Sequence, residues 1–135
     1  MAYLIGAGLA VAVGLFAWLV GFDRSRAFYP VVLIVVASYY LLFAVIGGST
    51  AALWTELLLF AAFAAVAVLG FRFSLWLAAA GLLAHGLMDF VHGSLVENPG
   101  VPAWWPAFCL GYDVAAAAFL AVLLRRRREA PDAIV

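Results

Sequence analysis

Three titratable side chains lie close together in the segment AHGLMDFVHG, residues 84–93. His85, Asp89 and His92 are spaced i, i+4 and i+7, which places them on one face of a helix. Imidazole and carboxylate groups at this spacing can exchange protons near neutral pH, and they are also ligands for zinc or non-haem iron. The residues around them are mostly apolar, so the groups lie in a segment that we expect to be membrane-spanning.

The composition of the whole chain supports that expectation. Of the 135 residues, 70% are hydrophobic and only 10% are charged. A soluble domain of this size has too little interior to bury so much apolar surface, so the bilayer is the expected solvent. The net charge is zero and the chain contains no lysine. A nucleic-acid partner is therefore not expected.

Five apolar runs divide the sequence. They cover residues 2–21, 30–47, 51–70, 75–95 and 104–124. Each run has about 18–21 residues, close to the ~20 that a helix needs to cross ~30 Å of hydrocarbon. We therefore predict an all-α fold, an integral membrane bundle of five transmembrane helices forming a single domain over residues 1–124. Residues 125–135 are predicted to be a basic and then flexible cytoplasmic tail.

The arginines predict the orientation of the bundle. All seven basic residues are arginines, at positions 24, 26, 72 and 125–128. With five helices, these positions fall on one side of the membrane, and none falls on the other. The positive-inside rule then places the N-terminus outside and the C-terminus in the cytoplasm. We expect a multi-pass protein of a bacterial inner membrane.

Polar residues of four helices share one layer. Counted at ~1.5 Å per residue, His85, Asp89, His92, Glu56 and Asp113 all lie in the outer half of the membrane. An acidic group at such a depth costs up to ~2.5–3.5 kcal/mol, so these groups should face one another and form a polar cup. The five are our candidates for acid/base or pocket residues. Candidates for the pocket lining are Tyr39, Tyr40, Cys109, Tyr112 and Trp105.

Three interpretations of this layer remain open at the level of the sequence. It can be a packing network in which the polar groups satisfy one another. It can be a metal-free site for acid/base chemistry or for a small cationic or lipid-like molecule. It can also be a zinc or iron site with His85, Asp89 and His92 as three ligands. The alternatives for a fourth ligand are Glu56, Asp113 and Cys109. Haem is disfavoured, because the two histidines are ~10 Å apart on one helix.

These interpretations define two classes of function. The first is a protein that binds a small lipophilic or cationic molecule or a lipid, with or without acid/base or metal-assisted chemistry. The second is a non-catalytic accessory or structural subunit of a membrane complex. Gly6, Ala10 and Gly14 allow close helix approach, which we interpret as packing within the bundle. The same spacing leaves a homo-oligomer or a partner membrane subunit open, in addition to the bilayer itself.

The segment NPGVPAWWPAFCLGYDV follows the helix that carries His85 and Asp89. Over about residues 84–113 the chain resembles the emopamil-binding and sigma-2 receptor family. The resemblance implies sterol or lipophilic-amine binding, in some members with double-bond isomerisation, and it implies that Asp89 and Asp113 are pocket acids. Members of that family have four helices in another topology, and aligning Trp104 leaves Asp113 one residue out of register. As a whole, the chain resembles small polytopic proteins of bacterial genomes.

Overall fold

A computed structural model describes residues 1–129, which form five α-helices. The helices are α1 (Ala2–Val20), α2 (Phe28–Ile46), α3 (Thr50–Arg72), α4 (Leu75–Leu95) and α5 (Trp105–Glu129), and a short 3-10 turn (Phe22–Arg24) follows α1. Each α-helix is long and apolar enough to cross a membrane. The all-helical, five-helix prediction is confirmed, and the chain has the build of a multi-pass membrane protein.

Local signals in the sequence account for the short connections. Gly21 ends α1 in the left-handed conformation, with a φ of 85° that favours glycine. The Ser49 side chain accepts a hydrogen bond from the backbone N–H of Ala52 and caps α3. The Ser74 side chain caps α4 in the same way. Tight turns therefore join α2 to α3 and α3 to α4, whereas longer connections, residues 21–27 and 96–104, precede α2 and α5.

Several helix ends differ from the predicted ones. α5 continues past residue 124 to Glu129, because arginine is a good helix former and ends only the apolar run. α3 continues through Gly70 to Arg72. A Cβ at Gly70 would lie 2.9 Å from the backbone nitrogen of Ala78, so this glycine serves close packing of α3 on α4. Residues 130–135, predicted to be flexible, lie outside the described residues.

The helices pack in an order that differs from their order in the chain. α1 packs on α5, α5 on α4, α4 on α3 and α3 on α2, and α2 also contacts α4. A Cβ at Gly6 would clash with the carbonyl oxygen of Phe108, and one at Gly111 with that of Tyr3. The small residues of α1 therefore serve packing against α5 within the chain. α1 and α2 barely touch, which leaves a gap between them.

The arginine-bearing segments meet at one end of the bundle. Arg127 Nη2 donates a hydrogen bond to the carbonyl oxygen of Asp23 at 2.9 Å, joining the end of α5 to the end of α1. Arg26 Nε donates to the carbonyl oxygen of Phe71 at 2.9 Å, joining the start of α2 to the end of α3. The opposite end holds the 47–49 turn and the 96–104 loop.

Candidate functional site

Four side chains from α4 and α5 meet in the interior. His85 Nδ1 lies 2.6 Å from Asp113 Oδ2 and 3.5 Å from Asp89 Oδ2. Cys109 Sγ lies 3.8 Å from Asp113 Oδ2. One ligand atom from each of the four residues lies within 4.8 Å of the others. We call His85, Asp89, Cys109 and Asp113 the tetrad.

A second contact joins α3 to α4 nearer the 96–104 loop. His92 Nε2 lies 2.7 Å from Glu56 Oε1. Asn98, in the loop, donates from its side-chain nitrogen to Glu56 Oε1 at 3.0 Å and to the carbonyl oxygen of Tyr40 at 3.1 Å. The loop therefore folds back over this end of the bundle and covers the contact between His92 and Glu56.

Tyr40 of α2 connects the two groups. Its hydroxyl donates a hydrogen bond to Asp89 Oδ1 at 2.6 Å. Its ring stacks on the His92 imidazole, with 3.9 Å between the ring centroids and 17° between the planes. Together with the tetrad, Tyr40, Glu56 and His92 form what we call the polar network. The network links α2, α3, α4 and α5.

The polar network is sealed from its surroundings. Each of its seven side chains is at most 2% exposed. Within residues 1–129, His85 Nε2, Asp89 Oδ2 and Asp113 Oδ1 are buried and have no hydrogen-bond partner. Buried polar atoms usually have one, because an unsatisfied group costs about 1–3 kcal/mol. The tetrad therefore has unused binding capacity.

The structure divides the predicted site residues into two sets. All five acid/base candidates belong to the polar network, as do Tyr40 and Cys109 of the lining candidates. His85 and His92 share a helix face, but His85 hydrogen-bonds to an acid of α5 and His92 to an acid of α3. The tetrad therefore contains Cys109 and Asp113, two of the predicted alternatives for a fourth metal ligand, and does not contain His92. The other three lining candidates, Tyr39, Trp105 and Tyr112, lie elsewhere, along a groove.

Asn98 is not among the predicted site residues, because the segment ENPGVP (97–102) has only the Pro/Gly pattern of a loop. Gly100 allows the loop to approach α2, since a Cβ there would clash with the carbonyl oxygen of Phe43. The signal in the sequence was a polar side chain, next to Glu97, at the start of a Pro/Gly-rich loop.

The groove is the open space between α1 and α2, and residues of α5 form its base. Its volume is about 660 Å³. On α2 it extends from Phe28 to Tyr39, a rise of about 16 Å at ~1.5 Å per residue. Its lining residues are Leu9, Val13, Phe22, Ser25, Ala27, Phe28, Val31, Val32, Val35, Val36, Tyr39, Trp105, Phe108, Cys109 and Tyr112.

Cys109 is the member of the polar network that borders the groove. It lines the groove and contacts Asp113 on its other side. The histidines and acids of the network line neither this groove nor a second cavity of about 350 Å³ beside Ser49, Thr55 and Glu97. The polar network is thus enclosed within the bundle, and the groove is an apolar space next to it.

Comparison with known proteins adds no relative to this description. No protein-family model, no curated protein and no solved structure matches the chain.

Proposed function

We propose that this protein binds a neutral, elongated lipophilic molecule that enters sideways from the bilayer. The observation that carries the proposal is the groove between α1 and α2. Its volume of about 660 Å³ falls within the ~300–1,000 Å³ that ligand pockets usually have. A space of this size is larger than the voids left between closely packed helices.

The position of the groove favours a ligand that comes from lipid. α1 and α2 barely contact each other, and the outward residues of both helices, such as Leu15 and Val35, are apolar and exposed. In a membrane these faces contact acyl chains, so the gap between them opens toward the hydrocarbon. A molecule dissolved in the bilayer can reach the groove without crossing water.

The lining favours a neutral ligand over a cationic one. None of the described residues that line the groove is charged. The carboxylates of the polar network lie behind Cys109, so they offer no direct ion pair to an amine. Trp105 lines the groove, and its Nε1 is buried with no hydrogen-bond partner between Met1 and Glu129. Because this nitrogen is sealed from the groove, Trp105 offers a ligand only the apolar part of its ring, and the sterol ligands implied by the family resemblance are neutral molecules that suit such a lining.

We further propose that the arginine-bearing end faces the cytoplasm of a bacterial cell and that the N-terminus lies outside. The support is the meeting of all seven arginines at one end of the bundle. In this orientation the polar network and the 96–104 loop lie toward the outer surface.

A second candidate is a non-catalytic subunit of a membrane complex. The polar network favours it, because sealed groups that hydrogen-bond across four helices fix their packing. Such a subunit would contact its partner through an apolar surface, since the network side chains are at most 2% exposed.

Photocrosslinking tests the groove proposal. The full chain is reconstituted in vesicles with a trace of a sterol or a long-chain alcohol that carries a diazirine, and the labelled peptides are mapped by mass spectrometry. We expect labelling concentrated on groove residues such as Val31, Val35 and Tyr112. Labelling spread evenly over other membrane-facing residues, such as Leu58, would contradict the proposal.

A matched pair of variants supplies the control. Val35→Trp places a large side chain in the groove and should reduce the labelling of Tyr112 at least about tenfold, because it fills space that the ligand needs. Val68→Trp makes the same change on α3, at a similarly exposed position outside the groove, and should leave the labelling of Tyr112 unchanged. Equal labelling in both variants would argue for general lipid contact and would favour the subunit candidate.

A further inference from the structure

The tetrad has the composition of a transition-metal site. It offers one imidazole nitrogen, one thiol sulfur and two carboxylate groups, and zinc is bound in proteins by these ligand types. The mixture of nitrogen, sulfur and oxygen suits zinc better than magnesium or calcium, which take oxygen ligands. Cys109, which the sequence offered only as one of three alternatives for a fourth ligand, brings the sulfur donor to the tetrad.

The distances in the tetrad are close to those of a loaded site. Zinc bonds of ~2.0–2.3 Å in a tetrahedron place ligand atoms about 3.3–3.8 Å apart. His85 Nδ1 is 3.5 Å from Asp89 Oδ2, and Cys109 Sγ is 3.8 Å from Asp113 Oδ2. The hydrogen-bonded distance of 2.6 Å between His85 and Asp113 is shorter than this range, and separations within the tetrad extend up to 4.8 Å. A bound metal would replace the hydrogen bond and draw the four ligand atoms toward the tetrahedral spacing.

Unused polar atoms point independently to a missing ligand. Asp89 Oδ2 faces the tetrad at 3.5 Å from His85 and, in the described part of the chain, accepts no hydrogen bond. Asp113 Oδ1 is equally buried and equally without a partner there. The tetrad contains two buried carboxyl groups and a single imidazole, so it can hold more negative charge than positive charge. A divalent cation would compensate this excess and occupy the free oxygens.

The fixed positions of the ligands also suit a metal. The His85 ring lies edge-to-face with the Phe63 ring, with 4.8 Å between the centroids. This contact restricts the orientation of the imidazole. Tyr40 donates to Asp89 Oδ1 and leaves Oδ2 free. Outer contacts of this kind orient metal ligands in known sites.

We propose that the tetrad of His85, Asp89, Cys109 and Asp113 binds one Zn²⁺ ion or a transition-metal ion of similar coordination chemistry. His92 and Glu56 do not take part. The inference is independent of the groove, because only Cys109 belongs to both and the other three residues line no part of it. Loss of metal binding and loss of lipid labelling can therefore be measured separately.

Metal titration of the purified full chain tests the proposal. The tag-free protein, treated with chelator, is titrated with Zn²⁺ and with Co²⁺. We expect one equivalent of each to bind, and we expect Co²⁺ to give a near-ultraviolet thiolate charge-transfer band. Cys109 is the only cysteine, so this band in the wild type identifies its ligand without any variant. The absence of saturable binding, or a Co²⁺ spectrum without the thiolate band, would overturn the proposal.

Two variants of α4 provide a matched comparison. His85→Gln should lower zinc affinity by more than the ~10–100-fold that the loss of an outer contact costs, because it removes a ligand. His92→Gln, the same change at an equally buried histidine two turns away, should lower it less than about tenfold. Equal loss in both variants would contradict the tetrad.

A measurement on the wild type covers the case in which His85→Gln does not fold. X-ray absorption of the zinc-loaded protein should show one sulfur at about 2.3 Å and three nitrogen or oxygen ligands at about 2.0–2.2 Å. A shell of only nitrogen and oxygen would place the zinc elsewhere and would leave the tetrad as a hydrogen-bonded network.

Discussion

His85 on α4 and Asp113 on α5 meet at 2.6 Å in a fully buried position. This contact holds together two helices that a long loop separates in the chain. In the metal-free protein, His85→Gln and Asp113→Asn should each lower the free energy of unfolding by about 3–5 kcal/mol, because each leaves a buried partner uncompensated. The double variant should lose about 0.5–3 kcal/mol less than the sum of the two.

Unfolding in mixed micelles measures this coupling. His92→Gln combined with Asp113→Asn is the control, because His92 contacts Glu56 instead of Asp113. Those two losses should add to within about 0.5 kcal/mol. If the His85 and Asp113 losses were equally additive, the contact would not stabilise the fold.

Two adjacent tyrosines should differ in their contribution to stability. Tyr40→Phe removes the hydroxyl that donates to Asp89 while it keeps the ring that stacks on His92. It should cost about 1–3 kcal/mol, because it leaves Asp89 Oδ1 buried without a hydrogen-bond partner. Tyr39→Phe makes the same change on the groove side and should cost less than about 0.5 kcal/mol. Thermal unfolding of the two variants, compared side by side, checks the difference. Equal stability would show that Asp89 does not depend on this hydroxyl.

Two glycines of α1 form another matched pair. A Cβ at Gly6 would clash with the backbone oxygen of Phe108, whereas a Cβ at Gly8 meets nothing within 4 Å. Gly6→Ala should therefore destabilise the contact between α1 and α5 by about 1–3 kcal/mol. Gly8→Ala should be neutral or stabilise α1 by up to about 1 kcal/mol, because alanine favours the helix.

Proteolysis of the detergent-solubilised protein reports on this contact. Cleavage in the connection between α1 and α2, near Arg24, should be faster in the Gly6→Ala variant than in the wild type. The Gly8→Ala variant should be cleaved at the wild-type rate. Faster cleavage of Gly8→Ala would instead indicate that the outward face of α1 is packed.

The orientation can be tested with reporters. A fluorescent protein fused after Val135 should fold and emit in the cytoplasm, because all seven arginines lie at that end. Alkaline phosphatase inserted in the 96–104 loop should be active, because this loop lies at the other end. An inactive phosphatase at the loop, together with an active one after Val135, would reverse the proposed orientation.

Part of the polar network was predictable from sequence. The depths of Glu56, Asp89 and Asp113 predicted that polar groups of several helices would meet, since no single acid is tolerated in lipid. The pairing was not predictable. His85 and His92 share a helix face, but a helix that is apolar on nearly all sides gives no sign of which neighbour each residue will meet. Asn98 was missed for a similar reason, because the loop geometry that brings it to Glu56 depends on the packing of α2 and α3.

The sequence by itself determined the number of helices and the shared side of the arginines, because apolar run length and charge position are local properties that the bilayer selects directly. The tertiary structure decided the order of the helices, the composition of the tetrad and the existence of the groove. These depend on which helices touch, and small residues such as Gly6 and Gly111 set those contacts through steric fit between helices distant in the chain. Because α1 packs on α5 instead of on α2, a groove remains between the first two helices and Cys109 stands between it and the buried acids.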